Sequence, residues 1–253
     1  MKKFLAAFAA VVMFSPLGAS AGVITDTYVG ADGHGYGDVV GDVATYGISS
    51  ATIKRSGSVL SISIATGFAG HAGDDAWAGP HGIGYGDVFL APQWTPTGTD
   101  AAHAGDNAAN GTHWTYALSL ADRWSATGGA FKLYALSGPS NTANIRNSES
   151  FLTCVMGQSC YYRNGQATAV NTASATVHDT GLSGTWSIKP GSELMFNIDV
   201  AGSALASYST IAMHWGETCQ NDVIEGAADV PEPASLALIA LGLIGLAGAR
   251  KRG

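Results

Sequence analysis

The chain has 253 residues, with 12 Lys and Arg against 19 Asp and Glu, a formal charge of −7. Five of the basic residues crowd into the two ends, so the span between them holds seven basic and eighteen acidic residues, a net near −11. Such a surface repels phosphate backbones, which excludes nucleic acid as a partner and suits divalent cations or a polyanion bridged by them.

At the N-terminus Lys2 and Lys3 precede an apolar run from Phe4 to Phe14, and Ala19-Ser20-Ala21 offers the small residues read by signal peptidase. The run is too short for a stable membrane span, so residues 1–21 read as a signal peptide cleaved after Ala21. Residues 22–229 then read as one extracellular domain. Residues 45–53 form a first strand that ends in a basic turn at Lys54-Arg55-Ser56-Gly57. In the next segment Leu60, Ile62 and Ile64 alternate with Ser61 and Ser63, the pattern of a half-buried hairpin partner. Val88-Phe89-Leu90 begins another strand, stopped by Pro92. Trp114, Tyr116, Leu118 and Leu120 alternate in one register, and Phe131 to Leu136 follow a Gly128-Gly129 turn, together a meander.

The stretch 137–170 reads as a long loop with short strands at its edges. Trp186-Ser187-Ile188 leads to a turn at 189–192, Leu194, Phe196, Ile198 and Val200 make the clearest strand of this half, and Tyr208 to Trp215 read as the last. Many short strands without a long amphipathic helix predict an all-β fold, a single β-sandwich of jelly-roll or lectin-like topology.

Three candidate sites emerge. Gly35-Tyr36-Gly37-Asp38-Val39 recurs as Gly84-Tyr85-Gly86-Asp87-Val88, and with Asp32 the two aspartates offer oxygen ligands for calcium; the alternative is two capping turns. Trp77, Trp94 and Trp124 lie in polar, glycine-rich segments where an aromatic face can stack on a sugar ring. Cys154 and Cys160 close a small loop as the preferred disulfide, although Cys219 could pair with either. The histidines His34, His71, His81 and His103 lack the spacing of a zinc hydrolase, and the four glutamates of the body single out no glycosidase pair.

The C-terminus reads Val230-Pro231-Glu232-Pro233-Ala234-Ser235, then an apolar run over 236–249, then Arg250-Lys251-Arg252-Gly253. Charge bias holds the terminal basic cluster in the cytoplasm and everything before Pro231 outside. This tripartite pattern over 230–253 resembles the PEP-CTERM sorting signal, with Pro231, Glu232 and Pro233 as its motif. The resemblance implies processing by the membrane protease exosortase, transient inner-membrane anchoring through 236–249, and delivery to the cell surface or extracellular matrix, often beside exopolysaccharide. The body, through Tyr85 to Leu90 and His214 to Gly226, is also similar to one group of PEP-CTERM proteins, which read Cys-Gly-Asn-Asp where this chain has Cys219-Gln220-Asn221-Asp222. That likeness implies a shared scaffold and no catalytic residue. The expectation is a non-enzymatic surface or matrix protein, structural or polysaccharide-associated, with a secreted carbohydrate-active or metal-dependent hydrolase as the alternative.

Overall fold

The computed structural model describes residues 21–31, 33, 35–139, 143–153 and 162–230. Ten strands form one antiparallel sheet: β1 (Gly22–Thr25), β2 (Ile48–Ser56), β3 (Val59–Thr66), β4 (Val88–Ala91), β5 (Tyr116–Leu120), β6 (Gly128–Leu136), β9 (Val177–Lys189), β10 (Glu193–Asp199), β11 (Thr210–Gly216) and β12 (Val223–Asp229). The order across it is β1-β2-β3-β10-β9-β6-β5-β4-β11-β12. The predicted meander is therefore present, as β4-β5-β6. A separate two-stranded sheet pairs β7 (Ile145–Asn147) with β8 (Ala167–Val170), and the α-helix among the described residues, α1 (Val43–Tyr46), is a single turn capped by the Asp42 carboxylate.

The fold is all-β as expected, but the two separate sheets of a sandwich are replaced by one sheet curled into a nearly closed barrel. Its first and last strands meet: a Cβ on Gly22 would collide with the Asp229 carbonyl, and one on Gly226 would fall 2.7 Å from Ile24. Glycine at both positions lets β1 approach β12 closely, which reduces the exposed sheet edge.

Alternation fixes the inner face. Leu60, Ile62 and Ile64 of β3 register against Ile198, Phe196 and Leu194 of β10, and all six side chains enter the main core. Every one of the ten strands contributes to that core. A second cluster forms on the outer face of β4, β5 and β11, where Phe89, Ala117 and Ala212 are covered by Ile145, Ala167 and Val170 of the small sheet. These three strands are thus buried on both faces. Trp114 belongs to this outer cluster, whereas Leu118 and Leu120 face the main core. The single register expected for Trp114 to Leu120 is accordingly broken before Tyr116, where β5 begins.

The expected basic turn is also revised. Arg55 lies inside β2, 2% exposed, and its guanidinium donates to the carbonyl oxygens of Leu205 (3.1 Å), Tyr208 (2.5 Å) and Val230 (3.3 Å). The reversal itself falls at Gly57, whose φ of +62° suits glycine.

Candidate functional site

The fold separates two of the predicted calcium residues, Asp38 and Asp87. Asp32 lies outside the described residues. Asp87 is fully buried, and its carboxylate is committed: Oδ1 accepts from Arg123 (3.1 Å) and the Leu120 amide (3.1 Å), while Oδ2 accepts from the Val170 amide (2.9 Å). It ties β4, β5 and β8 together.

Asp38 instead joins Asp26, just after β1, and Asp222, just before β12, with carboxylate oxygens all within 4.8 Å of one another. Asp222 accepts from the amides of Ile48 (2.6 Å) and Val223 (2.8 Å), but both Asp26 oxygens are buried without a hydrogen-bond partner. Burial, reinforced by the Asp222 and Asp38 charges, pushes the Asp26 carboxyl up to about 9. Burial also raises Asp222 to about 7. Arg163 offsets part of the charge from below, donating to the carbonyl oxygens of Gly37 (3.1 Å) and Asp38 (2.6 Å) while buried itself. Behind the trio, Glu217 is fully buried, and desolvation raises its carboxyl well above the usual range. Near neutral pH this arrangement either retains protons or is neutralised by a cation, and Asp26, Asp38 and Asp222 are the described residues that could hold one. The sequence signal for Asp222 was its place in Cys219-Gln220-Asn221-Asp222; nothing local marked Arg163, whose partners lie more than a hundred residues away.

The three tryptophans have different surroundings. Trp77 is 51% exposed, its indole N–H donating to Asp75 Oδ1 at 2.9 Å. Trp124 donates to the Gly82 carbonyl (3.3 Å) and packs on His81, ring centroids 5.0 Å apart. Trp94 is the most firmly held. Its indole N–H donates to Glu225 Oε1 (2.9 Å), and His103 meets its ring edge-on at 5.0 Å.

Glu225 is itself fixed by His214, with Nδ1 to Oε2 at 2.8 Å, both residues buried. His214 Nε2 lies 2.6 Å from the Ala167 carbonyl. A carbonyl only accepts, so Nε2 carries hydrogen and one further proton sits between Nδ1 and Glu225. Trp94 so anchored forms one wall of an open groove of about 770 Å³, which also presents Tyr208, Gln93, Thr95, Ser209 and Thr210. Glu225 and His214 escaped sequence reading because both occupy strands buried on two faces.

Cys154 and Cys160 lie outside the described residues, as do Pro231, Glu232, Pro233 and the apolar run 236–249. Cys219 is a free thiol, 1% exposed. No helix among the described residues is long and apolar enough to cross a membrane.

The last strand ends at Asp229 and Val230 is buried beneath Arg55. A family model for the PEP-CTERM protein-sorting motif matches residues 229–252, beginning where the barrel wall ends. The chain carries a PEP-CTERM sorting motif. It is thereby an exported substrate of exosortase, held transiently at the membrane through its C-terminus. For this PEP-CTERM protein the comparison with curated proteins and the comparison with solved structures each returned no match.

Proposed function

We propose that this PEP-CTERM protein is delivered as a folded barrel to the cell surface or extracellular matrix, where it associates with polysaccharide and acts by binding rather than by catalysis. The observation that carries the reading is the groove at Trp94, an aromatic wall held rigid by Glu225 and His103 and set among hydroxyl and amide groups. Aromatic faces suit the apolar patches of sugar rings, and a preorganised wall spares the entropy of ordering on binding. The buried carboxylate beside it supports a binding role: Glu225 is occupied by His214 and Trp94.

The test is retention of the exported protein on its producer's extracellular polysaccharide. Trp94→Phe keeps an aromatic wall without its indole anchor and is expected to weaken retention about threefold, whereas Tyr208→Ala, at the opposite wall, weakens it about tenfold, roughly 1.4 kcal/mol. Equal retention of both variants and the parent would end this reading. Delivery is tested separately by replacing Pro231, Glu232 and Pro233, which is expected to leave the protein membrane-associated with its tail uncut. Normal processing of that variant would remove the motif from the sorting step.

A further inference from the structure

A second cleft, of about 280 Å³, is lined by His81, Arg123, Trp124, Arg146, Ser150 and Phe151, among others. It stands out against the charge of the body. Of the seven basic residues between 22 and 229, Arg55 and Arg163 are buried against carbonyl oxygens, Lys132 pairs with Asp179 at 2.8 Å, and Arg123 pairs with Asp87 at 3.1 Å. Arg146 is exposed and makes one long hydrogen bond, to the Ser150 carbonyl at 3.4 Å. Its guanidinium lies 4.5 Å from the Phe151 ring centroid, and that of Arg123 lies 5.0 Å from the same ring. Such cation–π contact steadies the guanidinium while leaving its N–H donors available. The neighbouring carboxylates are engaged elsewhere: Asp122 accepts from the Trp124 amide, and Glu149 from the Gly165 amide and Ser148 hydroxyl.

We infer that this cleft binds the carboxylate of an acidic sugar, with the carboxylate on Arg146 and the sugar ring against the Trp124 and His81 pair. The inference rests on the polysaccharide reading above and deepens it by naming a uronic-acid class. Guanidinium is planar and presents a fork of donors matched to a carboxylate, and an adjoining aromatic surface supplies the contact that a bare anion would not use. Arg123, already neutralised by Asp87, adds donors and little net charge. The net negative body does not forbid the encounter, because charges farther than about 8 Å are largely screened at physiological ionic strength. The cleft holds one ring, so recognition is of a single residue within a chain.

The site lies at the barrel end remote from the sorting motif. β4 and β12 are each antiparallel to β11 and therefore run the same way; the cleft adjoins the segment leading into β4, whereas the motif begins at the end of β12.

The experiment is calorimetric titration of the exported protein with trigalacturonate, with a neutral galactose oligomer, and with inorganic phosphate. Trigalacturonate is expected to bind, Arg146→Gln to weaken it at least tenfold, and Arg146→Lys to recover part of the loss. Because Arg146 is exposed, its variants are expected to melt with the parent, and a melting curve checks this. Trigalacturonate binding untouched by Arg146→Gln would overturn the assignment, as would phosphate competing at the same concentration as the sugar. Retention on the producer's polysaccharide that depends on Tyr208, without any trigalacturonate binding, would overturn the acidic-sugar cleft and leave the Trp94 groove standing. Loss of both would end both.

Discussion

The two Gly-Tyr-Gly-Asp-Val segments are identical in residues and opposite in structure. Tyr36 is 53% exposed, whereas Tyr85 is fully buried between Phe68 and Trp186, with its hydroxyl accepting from the Gly70 amide at 2.8 Å. Gly35 and Gly37 have φ of +81° and +85° in open space, so the first segment uses glycine for conformational reach. In the second, a Cβ on Gly86 would strike the Gly216 carbonyl, and one on Gly84 would sit 2.8 Å from the Trp124 indole nitrogen, so glycine there permits close approach. Asp38 ends exposed beside two other carboxylates, and Asp87 is sealed against Arg123. The residues downstream of each segment decide its fate. Val88 continues into Phe89-Leu90-Ala91 and a strand, whereas Val39-Val40 runs into Gly41-Asp42 and the cap of α1.

The comparison can be broken at several points. Asp87→Ala should be the most damaging, at about 3–5 kcal/mol in denaturant unfolding, since it leaves two buried amides without their acceptor and Arg123 without its counter-charge. Asp38→Ala should not destabilise, because it relieves repulsion on Asp26 and Asp222.

The carboxylate trio should next give the protein a falling alkaline limb. Asp26 and Asp222 both have folded-state values above the ordinary 3.8, so the folded chain binds more protons. Their stabilising contribution is complete below that value and is lost as pH rises through about 7 for Asp222 and about 9 for Asp26, a loss on the order of a few kcal/mol. Melting temperature measured from pH 5 to 10 with a chelator should fall, and Asp26→Asn should flatten its upper part. A limb that appears with chelator and vanishes with calcium would assign the trio to a cation.

Gly86→Ala is expected to cost about 1–3 kcal/mol through collision with Gly216. Gly37→Ala, strained in φ but meeting no neighbour, should cost about 1 kcal/mol. Equal losses at the two glycines would show that the segments are less different than their burial implies.

Strands with one wet face were legible in the sequence. β3 and β10 alternate cleanly because Ser61 and Asn197 face outward while Ile62, Phe196 and Ile198 face the core. Strands without that asymmetry were not. β12, Val-Ile-Glu-Gly-Ala-Ala-Asp, is buried on both faces and hides Glu225, so it carries no period of two and was not expected. β9 fails for the opposite reason: along its thirteen residues most side chains are polar or small, and only Trp186 announced it. Its pairing with β6 and β10 defines it, and that information is distributed over distant parts of the chain. The same holds for the sites. Trp94 and Trp124 were readable as aromatics in polar loops, and Asp38 as an acid on a glycine loop. Glu225 meets Trp94 through the pairing of β4, β11 and β12, Arg146 meets Trp124 through the small β7-β8 sheet, and Asp26 meets Asp222 and Asp38 through closure of the barrel.

That closure also orients the molecule. Gly22 and Asp229 lie side by side at the seam, so the point expected to be cut from the signal peptide and the point where the sorting motif begins share one end of the barrel. The carboxylate trio and the Arg146 cleft occupy the other, separated by the seven residues of β12, about 24 Å at strand rise. The sorting motif therefore leaves the barrel from the end opposite its charged sites.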